Sequence, residues 1–141
     1  MISGEPQFAF FEHTADVGVR AWGATLEQAF ASAALAVFEL MADSSNVRDD
    51  VERLVEIEGT DLEDLLFAWL NELLYLSTVE RLLLCRFDVR RVLPTRLEAS
   101  VFGEPIDPSR HHLRTEIKAA TYHMLRVEQD GDWHIQVILD L

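Results

Sequence analysis

Apolar residues recur along the chain at two spacings, one typical of strands and the other of helices. Aromatic and β-branched residues fill two short runs, 7–13 and 17–23, which predict two strands joined by a turn at 14–16. Residues 50–58 alternate between apolar side chains and glutamates, as in a strand with one solvated face. The first half of the chain therefore contains at least three strands.

Two longer segments have the helical spacing. Residues 26–42 and 62–77 carry apolar side chains three and four positions apart, which predicts two amphipathic helices. A capping-box motif precedes each segment, beginning at Thr25 for the first and at Thr60 for the second. The apolar stripe of the second helix is wide, so this helix is expected to be largely buried against a sheet.

The second half of the chain is mainly a succession of strands. The pattern predicts them at 81–92, 96–103, 114–128 and 132–139. A loop with two prolines covers 103–108, and Asp130-Gly131 is a strong hairpin turn. Because both helices precede this run of strands, we predict an α+β fold. Two helices pack on a mixed, largely antiparallel β-sheet in a single domain, residues 1–141.

Composition narrows the class of protein. The 141 residues are 49% hydrophobic, enough for one real core, and the net charge is −13. A surface with this much negative charge repels phosphate backbones and anionic lipid. Stable direct binding to nucleic acid or to membranes is therefore not expected. Cys85 is the single cysteine, which fits a reducing compartment. With no basic leader and no long apolar span, we expect a soluble, cytoplasmic protein.

Two aspartates lie next to the ends of predicted strands. Asp16 belongs to the first turn, and Asp140 follows the last strand, one residue before the carboxylate of Leu141. If the first and last strands are neighbours, these anionic groups share one place, and their repulsion favours protonation or a bound cation. Oxygen ligands suit Ca²⁺, Mg²⁺ or Mn²⁺. Alternatively, Asp16 is an ordinary turn residue and Asp140 a solvated end.

His13 and Lys118 are further candidates for this site. His13 precedes Asp16 by three residues and either joins the site or orients it. Lys118 is the single lysine beside eleven arginines, so the position is expected to need a compact charge or a short hydrogen bond. On the predicted strand 114–128 it shares the more polar face with Tyr122. The alternative is a solvated strand lysine.

The remaining reactive side chains are expected to be structural. His123 falls on the apolar face of the predicted strand, which indicates a hydrogen-bonded core histidine. His111 and His112 follow the proline loop and are expected at the surface, while Cys85 lies in an apolar strand as inert core. The sequence contains no phosphate-binding glycine loop and no nucleophile elbow.

Several unusual blocks follow one another along the chain. They are FEHTADVG at 11–18, FELM at 38–41, DLEDLL at 61–66, WLNELLY at 69–75, GEPIDP at 103–108, TEIKA at 115–119, TYH at 121–123 and ILD at 138–140. In this order they resemble the archease family over essentially the whole chain. Archeases are small acidic proteins that assist the RNA-splicing ligase RtcB. That enzyme joins RNA ends through a guanylylated histidine of its own.

The resemblance implies an accessory protein rather than an enzyme. It would promote guanylylation and multiple turnover of its ligase in tRNA splicing or RNA repair. The family's metal site maps onto Asp16, Asp140 and Leu141, the last through main-chain oxygens, with Ca²⁺ as the expected ion in structures. Lys118 would face the partner or a phosphate.

Two other functions are consistent with the same residues. One is a small metal-dependent hydrolase that uses His13, Asp16 and Asp140. The other is a general chaperone-like or protein-interaction module without a dedicated ligase. Its surface would be the acidic stretch 41–64, which holds nine carboxylates against two arginines.

Overall fold

A computed structural model describes residues 7–13 and 15–141 of the chain. In chain order the elements are β1 (Phe8–His13), β2 (Asp16–Gly23), α1 (Leu26–Met41), β3 (Val51–Glu58), α2 (Leu62–Val79), β4 (Leu82–Leu93), β5 (Arg96–Pro105), β6 (Ala119–Ala120), β7 (Arg126–Asp130) and β8 (Asp132–Asp140). A short 3₁₀ turn, Ser44–Asn46, follows α1. The two predicted helices and most of the predicted strands are thus confirmed.

The strands form two sheets. One has five strands in the order β1-β2-β8-β6, with β7 also paired to β8, and the other has the order β3-β5-β4. The α+β class with two helices is confirmed. All strand pairings in the described part of the chain are antiparallel and lie in two sheets, whereas a single mixed, largely antiparallel sheet was predicted. Hairpins join β1 to β2, β4 to β5 and β7 to β8, and a hairpin is necessarily antiparallel.

The strand predicted over 114–128 is interrupted. Residues 114–118 have no strand conformation, β6 is two residues long, and the chain leaves the sheet before β7 begins. Both pieces pair with the continuous strand β8. β6 pairs with Leu139 and Asp140, and β7 pairs with residues 132–136. The segment between the two pairings has more residues than the part of β8 opposite it. The extra residues form a loop, in which Met124 has φ 56°.

This interruption overturns one inference from the sequence. A common strand face for Lys118 and Tyr122 requires regular alternation from 114 to 128, and the loop breaks that alternation. Both side chains are exposed, but at separate places: Lys118 comes just before β6, and Tyr122 stacks on Phe67 of α2 with ring centroids 3.9 Å apart.

Both helices begin with side-chain caps. At α1 the predicted capping box is confirmed, because Thr25 accepts from the Gln28 N–H while Gln28 accepts from the Ala24 N–H. At α2 the box is displaced by one residue from the prediction. Asp61 is the N-cap and accepts from the Asp64 N–H, and Asp64 accepts from the Thr60 N–H.

The core lies where the helices meet the sheets. Side chains of α1 pack on β2, β4 and β8, and those of α2 pack on α1 and on strands of both sheets. Trp69 is fully buried at the centre, and its indole N–H donates to the Phe30 carbonyl of α1 at 3.0 Å. The same packing buries Val137 and Leu139, so alternate residues of β8 project to the opposite face of the five-stranded sheet.

Candidate metal centre

Asp16 and Asp140 lie directly opposite each other in the pairing of β2 with β8. Asp16 is the first residue of β2, and Asp140 is the last residue of β8. Directly opposed residues of an antiparallel pair have Cβ atoms about 4.5–5.5 Å apart on one face of the sheet. Asp140 is exposed and Asp16 partly exposed, so the pair is open to solvent. Asp16 and Asp140 therefore converge as the sequence analysis required, but through the second strand: β2 pairs with β8, whereas β1 pairs, in the described residues, only with β2.

Two further parts of the expected site are next to this pair. The Lys118 N–H donates to the Asp140 carbonyl at 2.8 Å, and Ala119 lies opposite Asp140 in the β6–β8 pairing. Leu141 follows Asp140 directly, which brings its main-chain oxygens to the same end of β8. The side chain of Lys118 is exposed. The row Asp16, Asp140 and Ala119 thus crosses three neighbouring strands.

The donor set at this place consists of oxygen atoms. In the described residues, no group of three or more His, Cys, Asp or Glu residues is arranged to hold a metal ion. Of the described residues, those placed to hold a cation are Asp16 and Asp140, with main-chain oxygens such as those of Leu141 and with water completing the set. Such a set fits a hard cation that keeps part of its hydration, as Mg²⁺ and Ca²⁺ do. Among the described side chains, this set contains no nitrogen or sulfur donor of the kind typical of zinc.

The histidines differ from the predictions. His123 is exposed in the loop after β6, so its prediction as a core residue is wrong. His111 is 4% exposed, so its prediction as a surface residue is also wrong, whereas His112 is exposed as expected. The structure does not describe the side chain of His13 or any part of Thr14, so the predicted role of His13 lies outside the described residues.

Cys85 is partly buried in β4. Burial raises the pKa of its thiol, which keeps the thiol in the unreactive protonated form.

Glu104 is a buried carboxylate that the sequence analysis did not single out. Its side chain is 7% exposed and accepts hydrogen bonds from the Arg48 N–H, from Arg110 and from His111. Burial by itself raises the pKa of Glu104, but these donors outweigh burial and lower the pKa to about 2. The Asp107 N–H donates to Nδ1 of His111, so the neutral ring carries its proton on Nε2 and donates it to Glu104. This cluster fixes the proline loop to the end of β5.

Asn71 positions β6, and with it the backbone beside Asp140. The Asn71 side chain accepts from the Ala120 N–H at 2.9 Å and donates to the Ala120 carbonyl at 3.2 Å. One amide side chain thereby binds the free edge of β6 as a neighbouring strand would. Asn71 is partly buried beside the apolar stripe of α2, and an asparagine within this leucine-rich helix is the sequence signal that could have revealed its role.

We expect Asn71→Leu to destabilise the protein by about 1–3 kcal/mol, because it removes both hydrogen bonds and leaves backbone groups of Ala120 unpaired. Urea unfolding measures the loss, and amide hydrogen exchange locates it. The Ala120 amide should exchange much faster, while amides of the β3–β5 pair should not change. Asn71→Asp keeps the acceptor, so fast exchange at Ala120 in that variant too would contradict this role.

The fold and the site define a small α+β protein with two antiparallel sheets and a pair of aspartates at the ends of neighbouring strands. Residues 8–141 match the model of the Archease protein family (MTH1598/TM1083). The chain belongs to this family.

Relatives of known name and structure agree. The chain is 45% identical to the protein archease of Sulfurisphaera tokodaii over 92% of this chain and 94% of that one. It is 40% identical to that of Pyrococcus furiosus, over 96% and 99%. The solution structure of protein 1598 from Methanobacterium thermoautotrophicum superposes with a TM-score of 0.84 at 41% identity, covering 97% and 100%. A crystal structure from Thermotoga maritima, described as an archease and possible chaperone, gives 0.65 at 25% identity, covering 93% and 94%.

Neither helix in the described residues combines the length and the apolar composition needed to cross a bilayer.

Proposed function

We propose that the protein binds a divalent cation at Asp16, Asp140 and Leu141 and acts as an accessory protein of an RtcB-type RNA ligase in the cytoplasm. It promotes guanylylation and repeated turnover of that ligase in tRNA splicing or RNA repair, and it is not itself the enzyme. Membership of the archease family supports an RtcB-type ligase as the partner. The observation that carries the proposal is the direct pairing of Asp16 with Asp140.

The pairing explains why a cation would bind here. Two carboxylates directly opposite each other on one face of a sheet repel, which destabilises the pair unless positive charge is added. Asp140 is held on both sides, by Asp16 of β2 and by the backbone around Lys118, so its position is fixed by two neighbouring segments. The strands therefore hold the two side chains together before any ion binds, which reduces the conformational entropy lost on binding.

The exposed position of the pair fits action on a partner. Asp140 and Lys118 reach solvent at the same end of the sheet, so a second protein can approach both. A bound divalent ion would supply positive charge that orients and neutralises phosphate groups. The carboxylates would hold that charge in place, and Lys118 would contact a phosphate or an acidic group of the partner. Nucleotidyl transfer depends mainly on positioning and electrostatics, which an accessory protein can supply.

Metal binding can be measured without the ligase. We expect Ca²⁺ to bind to the parent in a calorimetric titration and to raise its melting temperature by mass action. Asp16→Asn and Asp140→Asn should each weaken binding by at least tenfold, since each removes a charged ligand. Asp132→Asn is the matched control, because Asp132 is exposed at the other end of β8. Equal Ca²⁺ affinity in all four proteins would contradict the metal site.

The ligase assay tests the partner role. A purified RtcB-type ligase is incubated with GTP, and guanylylated ligase is measured with and without this protein. We expect stimulation by the parent and by Asp132→Asn, and loss of most of it in Asp16→Asn and Asp140→Asn. Stimulation by these two variants equal to that of the parent would refute the site. Absence of stimulation by the parent, together with binding of many unfolded proteins, would favour the chaperone-like alternative.

A further inference from the structure

A hollow of about 390 Å³ opens on the outer face of the five-stranded sheet. Val19 and Ala21 are buried towards α1, so Arg20 and Trp22 project to the opposite face. The residues that line the hollow come from β1, β2, β7 and β8, and their polar members are Arg20, Arg126, Glu128, His134 and Gln136. The hollow is separate from the candidate metal site. Gln136, which lines the hollow, precedes Asp140 by four residues, or about 13 Å along β8.

Two arginines flank one position of β8. Gln136 lies opposite Arg20 of β2 on one side and opposite Arg126 of β7 on the other. Neighbouring strands are about 4.8 Å apart, so the backbones of the two arginines are about 10 Å apart and their side chains project from one face. Two guanidinium groups at that spacing can bind neighbouring phosphates of one ligand.

Arg20 is held in place before any ligand binds. Its Nε donates to the side-chain oxygen of Gln136 at 3.3 Å, and its guanidinium lies 4.4 Å from the centroid of the Phe11 ring. Gln136 is 6% exposed and donates in turn to the Met124 carbonyl at 3.1 Å. Because these contacts use Nε and one face of the guanidinium, the terminal nitrogens are left to bind an anion. The Arg20 side chain is already ordered, so it would lose little conformational entropy on binding.

The charge of the hollow is opposite to that of the chain. Two guanidinium groups face one carboxylate, that of Glu128, which is 3.8 Å from Arg126. Arg53, Arg96 and Arg114 all pair with glutamates, whereas Arg20 has no carboxylate partner among the residues that the structure describes. In 0.1 M salt, charges more than about 10 Å away are largely screened. A small anion in the hollow therefore meets local positive charge despite the net charge of −13.

We propose that this hollow binds the polyphosphate chain of a small ligand, with Arg20 and Arg126 on its phosphate oxygens. The indole of Trp22, opposite His134 in the β2–β8 pairing, adds an aromatic surface at one end of the hollow. The polyphosphate is either free or part of a nucleoside triphosphate, and both carry the charge that the two arginines recognise.

Calorimetric titrations with pyrophosphate, triphosphate, GTP and guanosine test this site, at constant ionic strength and with divalent ions removed. We expect triphosphate to bind to the parent and guanosine not to bind. Arg126→Gln should weaken triphosphate binding by at least about tenfold, the loss of one charged hydrogen-bonding group. Arg126 is the residue to change first, because its side chain is 53% exposed and its replacement leaves the core intact.

Arg91→Gln is the matched control, since Arg91 is exposed on β4 of the other sheet and the variant loses the same charge. Equal weakening in both variants would show a nonspecific charge effect and would overturn the proposal, as would absence of triphosphate binding to the parent. Tighter binding of GTP than of triphosphate identifies a nucleotide as the ligand, and equal binding identifies free polyphosphate. Triphosphate binding that appears only when Ca²⁺ is added and is lost in Asp140→Asn would assign the anion to the metal site instead and refute the separate hollow.

Discussion

Replacing Glu104 with glutamine is expected to lower the free energy of unfolding by about 3–5 kcal/mol, because it removes a buried carboxylate that accepts three hydrogen bonds, each worth about 1.5–3 kcal/mol when one partner is charged. The carboxylate of Glu104 accepts from the Arg48 N–H, from Arg110 and from His111 at 7% exposure. A glutamine amide would bring two donors into a place surrounded by donors. Since domains are stable by only about 5–15 kcal/mol, this change should affect the whole fold.

Urea unfolding at pH 7 measures this loss, with Glu56→Gln as control. Glu56 pairs with Arg96 at the surface, where its side chain is 65% exposed, so the control should lose less than about 1 kcal/mol. If Glu104→Gln is too unstable to purify, Arg110→Gln removes one donor and keeps the carboxylate, and it should cost less. A Glu104→Gln protein as stable as the control would contradict the proposed role of this cluster.

The pKa of Glu104 also predicts how stability depends on pH. The pKa is about 2 in the folded protein, against 4.5 for an unperturbed glutamate. Because the folded value is the lower one, the stabilisation is fully present above about pH 4.5 and is lost as the pH falls towards 2. The difference in free energy of unfolding between the parent and Glu104→Gln should therefore shrink across this window. A difference that stays constant from pH 5 to pH 2.5 would show that the carboxylate is not preferentially ionised in the folded state.

Replacing Trp69 with alanine is expected to cost about 3–5 kcal/mol, because it leaves a large cavity at the centre of the core. Trp69 is fully buried, its ring is nearly perpendicular to that of Phe87 with centroids 6.4 Å apart, and its indole N–H donates to the Phe30 carbonyl. Trp69→Phe keeps most of the volume and removes the indole N–H, so it should cost only about 1–2 kcal/mol. The two variants separate packing from hydrogen bonding.

Tyr75→Ala is the control for this pair, because Tyr75 lies on the same helix with 53% of its surface exposed and should change stability by less than about 0.5 kcal/mol. Thermal and urea unfolding give the comparison. Equal losses in Trp69→Ala and Trp69→Phe would mean that the hydrogen bond, and not the packing, links the two helices.

Local patterns predicted the elements that local physics controls. The spacing of apolar residues placed α1 and α2 within two residues of their bounds, and the alternation in 50–58 placed β3. The cap of α1 followed from Thr25 and Gln28, which interact within one turn. The strand 114–128 was wrong because its interruption depends on partners far along the chain, the side chain of Asn71 and strand β8.

The candidate site, too, could be predicted only in part from the sequence. Asp16 and Asp140 could be selected from the sequence because acidic residues at strand ends concentrate charge, and the register of β2 with β8 brings them together. The buried position of His111 could not be read from its neighbours. It depends on Glu104, and the two become partners only when the proline loop folds back on β5.

By itself, the sequence determined the two helices and the first and last hairpins, and it selected Asp16 and Asp140 as candidates, because spacing, capping and charge act over a few residues. Only the tertiary structure decided that the strands form two sheets and that Glu104 is buried with His111. It also decided that Arg20 and Arg126 flank Gln136 on a face shared with Asp16 and Asp140. The physical reason is that strand register and packing bring together residues up to 124 positions apart, such as Asp16 and Asp140, and no local preference specifies these neighbours.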